Sequence, residues 1–136
     1  MPGPALPDRT AAALLRAAGG LNLVAAVFAF GPRVLLERGH ELLLGAPFPE
    51  APVAEYLARS ASLLYAFHGC LLIYAARDVR KFAGWLRLYG VLMLLGGPAY
   101  LTVDLRSGMP AAWAWGEGVT LAAGGLFLLW LMRGRR

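Results

Sequence analysis

Charge is scarce in this chain. Only 15% of its 136 residues are charged, 59% are hydrophobic, and the mean hydropathy is +0.58. A water-soluble domain of this size carries about 25% charge, so that class is excluded. Cysteine is nearly absent too: Cys70 stands alone, which rules out an internal disulfide and any all-cysteine metal site. No glycine-rich phosphate loop follows a strand, no histidine pair stands at metal spacing and no serine elbow is present. No metal ion or cofactor is expected. The formal net charge of +5 does not point to nucleic acid either, because no basic stripe interleaves with aromatics in a polar segment. The basic residues stand at the ends of apolar runs, as on the cytoplasmic flanks of membrane helices.

What is present is apolar sequence in four long runs. At about 20 residues per crossing, the chain has room for four spans, short loops and one longer connection. The expected fold is all-α, a transmembrane four-helix bundle in one domain over 10–136, with spans near 10–30, 56–76, 84–103 and 110–132. Residues Met1 to Pro7 hold three prolines, so 1–9 is expected to be a disordered cytoplasmic tail. Ala17 to Phe30 is long for a signal-peptide core and Gly31-Pro32-Arg33 is a poor cleavage site, so no removed signal is expected. Asp8 or Thr10 can cap the first helix, Arg16 can snorkel to the headgroups, and Asn22 is expected to hydrogen-bond another helix. Arg33 to Leu44 is too short and too charged to cross, but amphipathic enough to lie on the outer surface. His40 is expected to be a solvated surface histidine.

Tyr56 and Tyr74 lie 18 residues apart, about 27 Å along a helix, which suits two interfacial belts. Trp113, Trp115 and Trp130 mark the two interfaces of the last span in the same way. Pro98 is expected to kink the third. With the N-terminus inside, nine Lys and Arg residues fall on the cytoplasmic side and four outside, while six of the acids lie outside. The positive-inside rule therefore puts both termini in the cytoplasm of a cell's inner or plasma membrane.

Near the outer surface the charges crowd. Arg59 lies about 4.5 Å below Tyr56, and Glu117 about 6 Å below Trp113, at helical rise. Asp104 closes the third span on the same side, and Tyr89, Met93, Gly96, Tyr100 and Asp104 share one face of it. Unpaired charges at such depth are costly, so Arg59 is expected to pair with Glu117, with Asp104 or Arg106 as further partners. The candidate ligand-binding residues are Arg59, Asp104, Glu117, Tyr100, Trp113 and His68, lining a pocket that opens outward between the second, third and fourth spans. No catalytic residue and no metal ligand is assigned. His68 and Cys70, on either side of Gly69, allow either a packing role or contact with a substrate, cofactor or proton.

Arg59, Leu63-Leu64-Tyr65, Gly69 and Ala75-Ala76-Arg77-Asp78 resemble the second-helix pattern of small DoxX-like membrane proteins. Asp104, Gly108-Met109-Pro110, Trp113 and Glu117-Gly118 are similar to the last hairpin of the BphX-like relatives within that group. The resemblance covers roughly Arg59 to Trp130. It implies a four-helix bundle with both termini inside, found as an accessory in redox or aromatic-degradation contexts. It carries Arg59, Asp104 and Glu117 as polar positions, but not His68 or Cys70.

The expected function is that of a non-catalytic accessory or hydrophobic small-ligand-binding bundle in the lipid bilayer. Its partners would be a hydrophobic small molecule and a larger membrane protein or a second copy. The alternative is a membrane enzyme acting on a sterol, quinone or lipid by acid–base chemistry at Glu117 and Asp104. Proton-coupled transport has only Asn22 and His68 in its favour.

Overall fold

Proline and glycine punctuate the apolar runs where the helices start and stop. The computed structural model describes residues 7–135, and six helices follow in order: α1 (Asp8–Leu23), α2 (Ala26–Phe30), α3 (Arg33–Leu44), α4 (Pro52–Ala75), α5 (Ala83–Arg106) and α6 (Ala111–Leu131). No strand occurs among the described residues. Most of the expected tail over 1–9 lies outside them, and α1 already begins at Asp8. Pro52 opens α4 after an extended Ala51, where a missing N–H costs nothing. Gly45, at φ 66°, closes α3 by donating to the Glu41 carbonyl at 2.8 Å. Gly108, at φ 75°, turns the chain between α5 and α6. Helix α5 runs on through Pro98.

Four segments are long and apolar enough to cross a membrane: Asp8–Phe30, Pro52–Ala75, Ala83–Arg106 and Ala111–Leu131. The first is not one uninterrupted helix. At Val24 and Ala25 the hydrogen bonds tighten to i→i+3, from Val24 N–H to Leu21 and from Ala25 N–H to Asn22. The Asn22 amide, expected to reach another helix, instead donates to the Ala18 carbonyl of its own turn at 2.9 Å.

The side chains that such segments turn outward are large and apolar. Leu21 is 75% exposed, Phe30 76%, Leu64 68% and Leu95 66%. In water each would forfeit about 1.5–3 kcal/mol of burial; in lipid the same exposure costs nothing. Exposed apolar surface on this scale is compatible with a small multi-pass membrane protein.

The chain divides into two compact units, Ala12–Arg77 and a second formed by Asp78 to the C-terminal end with the residues up to Ala11. In the first, α1 meets α4 at Gly19 and Gly69, and a Cβ on Gly69 would stand 2.5 Å from the Gly19 carbonyl oxygen. Arg16 donates to the Ala76 carbonyl at the end of α4, at 3.5 Å. In the second, α5 and α6 approach backbone to backbone. A Cβ on Gly97 would lie 2.5 Å from the Gly118 oxygen, and one on Gly125 would lie 2.6 Å from the Gly90 oxygen. Where lipid removes the hydrophobic drive between helices, such close backbone approach is how they associate.

Candidate functional site

Helix α5 delivers Asp104 to its last turn, and the Gly108 turn brings the chain back so that Glu117 stands one turn inside α6. The Gly97–Gly118 contact sets the register, with Leu101 packed at Gly118. Asp104 lies one turn beyond Leu101, and Glu117 immediately precedes Gly118. Their side chains consequently interact. The Asp104 backbone carbonyl accepts from Ser107 and Met109 N–H groups at 3.1 and 3.0 Å, which fixes the turn. Trp113, at the i−4 position, donates its indole N–H to Glu117 Oε2 at 3.0 Å. Ala114 beneath them is fully buried.

One atom of this cluster is unaccounted for. Asp104 Oδ2 is buried and, with both carboxyls ionised, receives no hydrogen bond from the described residues; a proton held between Glu117 and Asp104 is the alternative donor. A buried acceptor without a donor costs about 1–3 kcal/mol, and native structures hold few of them. The cluster is rich in acceptors, with Trp113 as its donor, so it can receive a hydroxyl or N–H from a molecule whose remainder is apolar.

Arg59, expected to pair with Glu117, finds partners within its own unit. Arg59 belongs to the other unit, where Nη2 pairs with Glu55 Oε1 at 2.8 Å. Its Nη1 donates to the carbonyls of Gly31, Ala29 and Phe28 at 2.9, 3.0 and 3.4 Å. Those carbonyls end α2, whose last turn has no further N–H groups to satisfy them. Arg59 thus caps a short helix, with these donors taken up within its own unit. Arg33 extends the chain of charges, bonding Glu37 at 2.8 Å and Glu55 at 3.4 Å. The i,i+4 spacings of Arg33–Glu37 and Glu55–Arg59 are visible in the sequence and could have flagged both pairs.

The remaining candidates are scattered. Tyr100, one turn before Asp104, is 49% exposed. His68 is half-buried on α4 in the Ala12–Arg77 unit, and Cys70 beside it is exposed. His40, expected to be solvated, holds the Ala46 carbonyl at 2.9 Å and meets the Phe48 ring edge-on. A hollow of about 280 Å³ lies between α3 and the loop after it, bordered by Arg33, Glu37, Glu41, Phe48 and Glu50. No group of three or more metal-ligating side chains occurs among the described residues.

No family model, curated protein or solved structure matches the chain.

Proposed function

We propose that the chain is a four-helix membrane bundle with both termini in the cytoplasm. It acts without catalysis, as an accessory that holds a hydrophobic small molecule at the Asp104–Glu117–Trp113 cluster. In this reading the molecule keeps its body among the apolar faces of α5 and α6 and donates a hydroxyl or N–H to Asp104. The buried, undonated Asp104 Oδ2 is the observation that carries it. Arg59 supports the bundle rather than the ligand, because its donors are taken by Glu55 and the end of α2. The DoxX-like and BphX-like resemblance is kept within the proposal for the hairpin from Asp104 to Gly118. A larger membrane protein or a second copy remains the partner such an accessory would serve.

The interaction of the two carboxyl side chains favours one rival, acid–base chemistry on a lipid-like substrate. The readings separate on protein purified in native membrane patches. A binding protein enriches one molecule over the surrounding membrane, unchanged in structure, and loses it in Glu117→Gln. An enzyme converts that molecule over time, and Glu117→Gln abolishes the conversion while the molecule stays bound. A lipid and metabolite profile identical to the bulk membrane contradicts both.

A further inference from the structure

The opposite end of the α5–α6 unit carries a second polar assembly with no part in the Asp104 cluster. Asp8 joins three distant stretches there: its Oδ2 accepts from Arg80 Nε at 2.6 Å and its Oδ1 from Arg135 Nε at 3.1 Å. Arg135 also donates to the Leu131 carbonyl, and Arg87 to the Met132 carbonyl at 3.4 Å. These contacts gather the turn before α5 and the end of α6 at one place, over buried Val79, Leu86 and Met132. Among the described residues of this unit, Arg9, Arg80, Lys81, Arg87, Arg133 and Arg135 stand there against only Asp8 and Asp78. Asp8 and the two carbonyls occupy the inward cations. Lys81 and Arg133 stay exposed, and the Arg80 side chain is 74% exposed despite its bond to Asp8.

Below this rim comes an aromatic band. Trp85 stacks on Tyr89 at 5.7 Å, one turn after Lys81. Trp130 packs against Phe127 one turn before Arg133. Both tryptophans are partly exposed, and the outward side chains that follow, Leu88 and Leu126, are apolar. Cation rim, indole band and apolar face in that order reproduce the boundary between phosphate and acyl chains.

We propose that this rim, centred on Arg80, Lys81 and Arg133, is a docking surface for the headgroup of an anionic phospholipid. A free anion would use the cations alone and leave the indole band and the apolar face unexplained. The inference rests on the membrane-spanning reading above.

The test is quenching of tryptophan fluorescence by brominated lipids in reconstituted vesicles. Brominated phosphatidylglycerol in a phosphatidylcholine background is compared with brominated phosphatidylcholine. A Trp113→Phe/Trp115→Phe variant reports on the rim through Trp85 and Trp130; Trp85→Phe/Trp130→Phe reports on the far end. At the rim the anionic lipid is preferred on the order of fivefold, at the far end not at all. High salt shrinks the preference, as does Arg80→Gln/Lys81→Gln/Arg133→Gln. Equal quenching by both lipids at the rim, or the same preference at both ends, overturns the proposal. So does loss of the preference in inorganic phosphate beyond that in chloride of matched ionic strength. Absence of quenching by either lipid overturns the spanning reading itself, which keeps the two failures apart.

Discussion

The unit from Ala12 to Arg77 and the unit built on α5 and α6 deal with polar groups in apolar surroundings in opposite ways. In the first, Arg59 meets the Glu55 carboxylate and three backbone carbonyls, and Arg33 links Glu55 to Glu37. Every partner in that chain of contacts is protein. In the second, Glu117 takes the Trp113 indole N–H, and Asp104 Oδ2 is left without a donor. The contrast teaches that a charged residue within a span is no single kind of signal. A cation beside the exposed end of a broken helix is consumed by that end, whereas an acid in an unbroken helical hairpin finds its own backbone already bonded.

Between α5 and α6 there is no room for a side chain at Gly97, so Gly97→Leu should have the largest effect of any change considered. A Cβ there meets the Gly118 oxygen at 2.5 Å and the Ala122 Cβ at 2.8 Å. Overpacking of this kind costs about 3 kcal/mol, and the yield of monodisperse protein after detergent extraction should collapse. Gly84→Ala, where no atom lies within 4 Å, should leave that yield alone. Equal behaviour of the two would remove the close approach from the account.

Next in size is Arg59→Met. It strips donors from the end of α2 and leaves Glu55 with Arg33 alone, at a cost of about 1–2 kcal/mol. Thermal unfolding in nanodiscs should show the loss, and Arg59→Met/Glu55→Met should recover part of it. Exchanging charge between Arg59 and Glu117 should recover none. Rescue by that exchange would restore the pairing that the depths along the helices suggest.

The smallest change is Arg33→Gln. Arg33 and Glu37 are 40% and 45% exposed, so losing their bond should cost about 0.5 kcal/mol or less. A melting temperature within error of the parent is expected. A large drop would mean that the ladder from Glu37 to Arg59 acts as one unit rather than through Arg59.

Much of the fold was legible in residue order alone. Runs of about 20 apolar residues between Gly–Pro and charged punctuation placed all four spans within a few residues of where the helices lie, and Arg33 to Leu44 forms a helix of its own. The interruption at Val24 and Ala25 had no such mark, because both sides of it are equally apolar. Helical rise gave Arg59 and Glu117 similar depths, but depth is one coordinate only. Rotation about each axis, set by glycine contacts such as Gly97–Gly118, decides which side chains meet. The same rotation brings Asp104 and Glu117 together and leaves Tyr100 outward.

The difference between a satisfied and an unsatisfied polar cluster comes down to Asp104. Native mass spectrometry of the intact protein, released from membrane patches, compares the parent with Asp104→Asn at matched thermal stability. One discrete adduct is expected on the parent, and Asp104→Asn no longer carries it. The same adduct on both proteins, or none beyond bulk lipid on either, would contradict binding at Asp104.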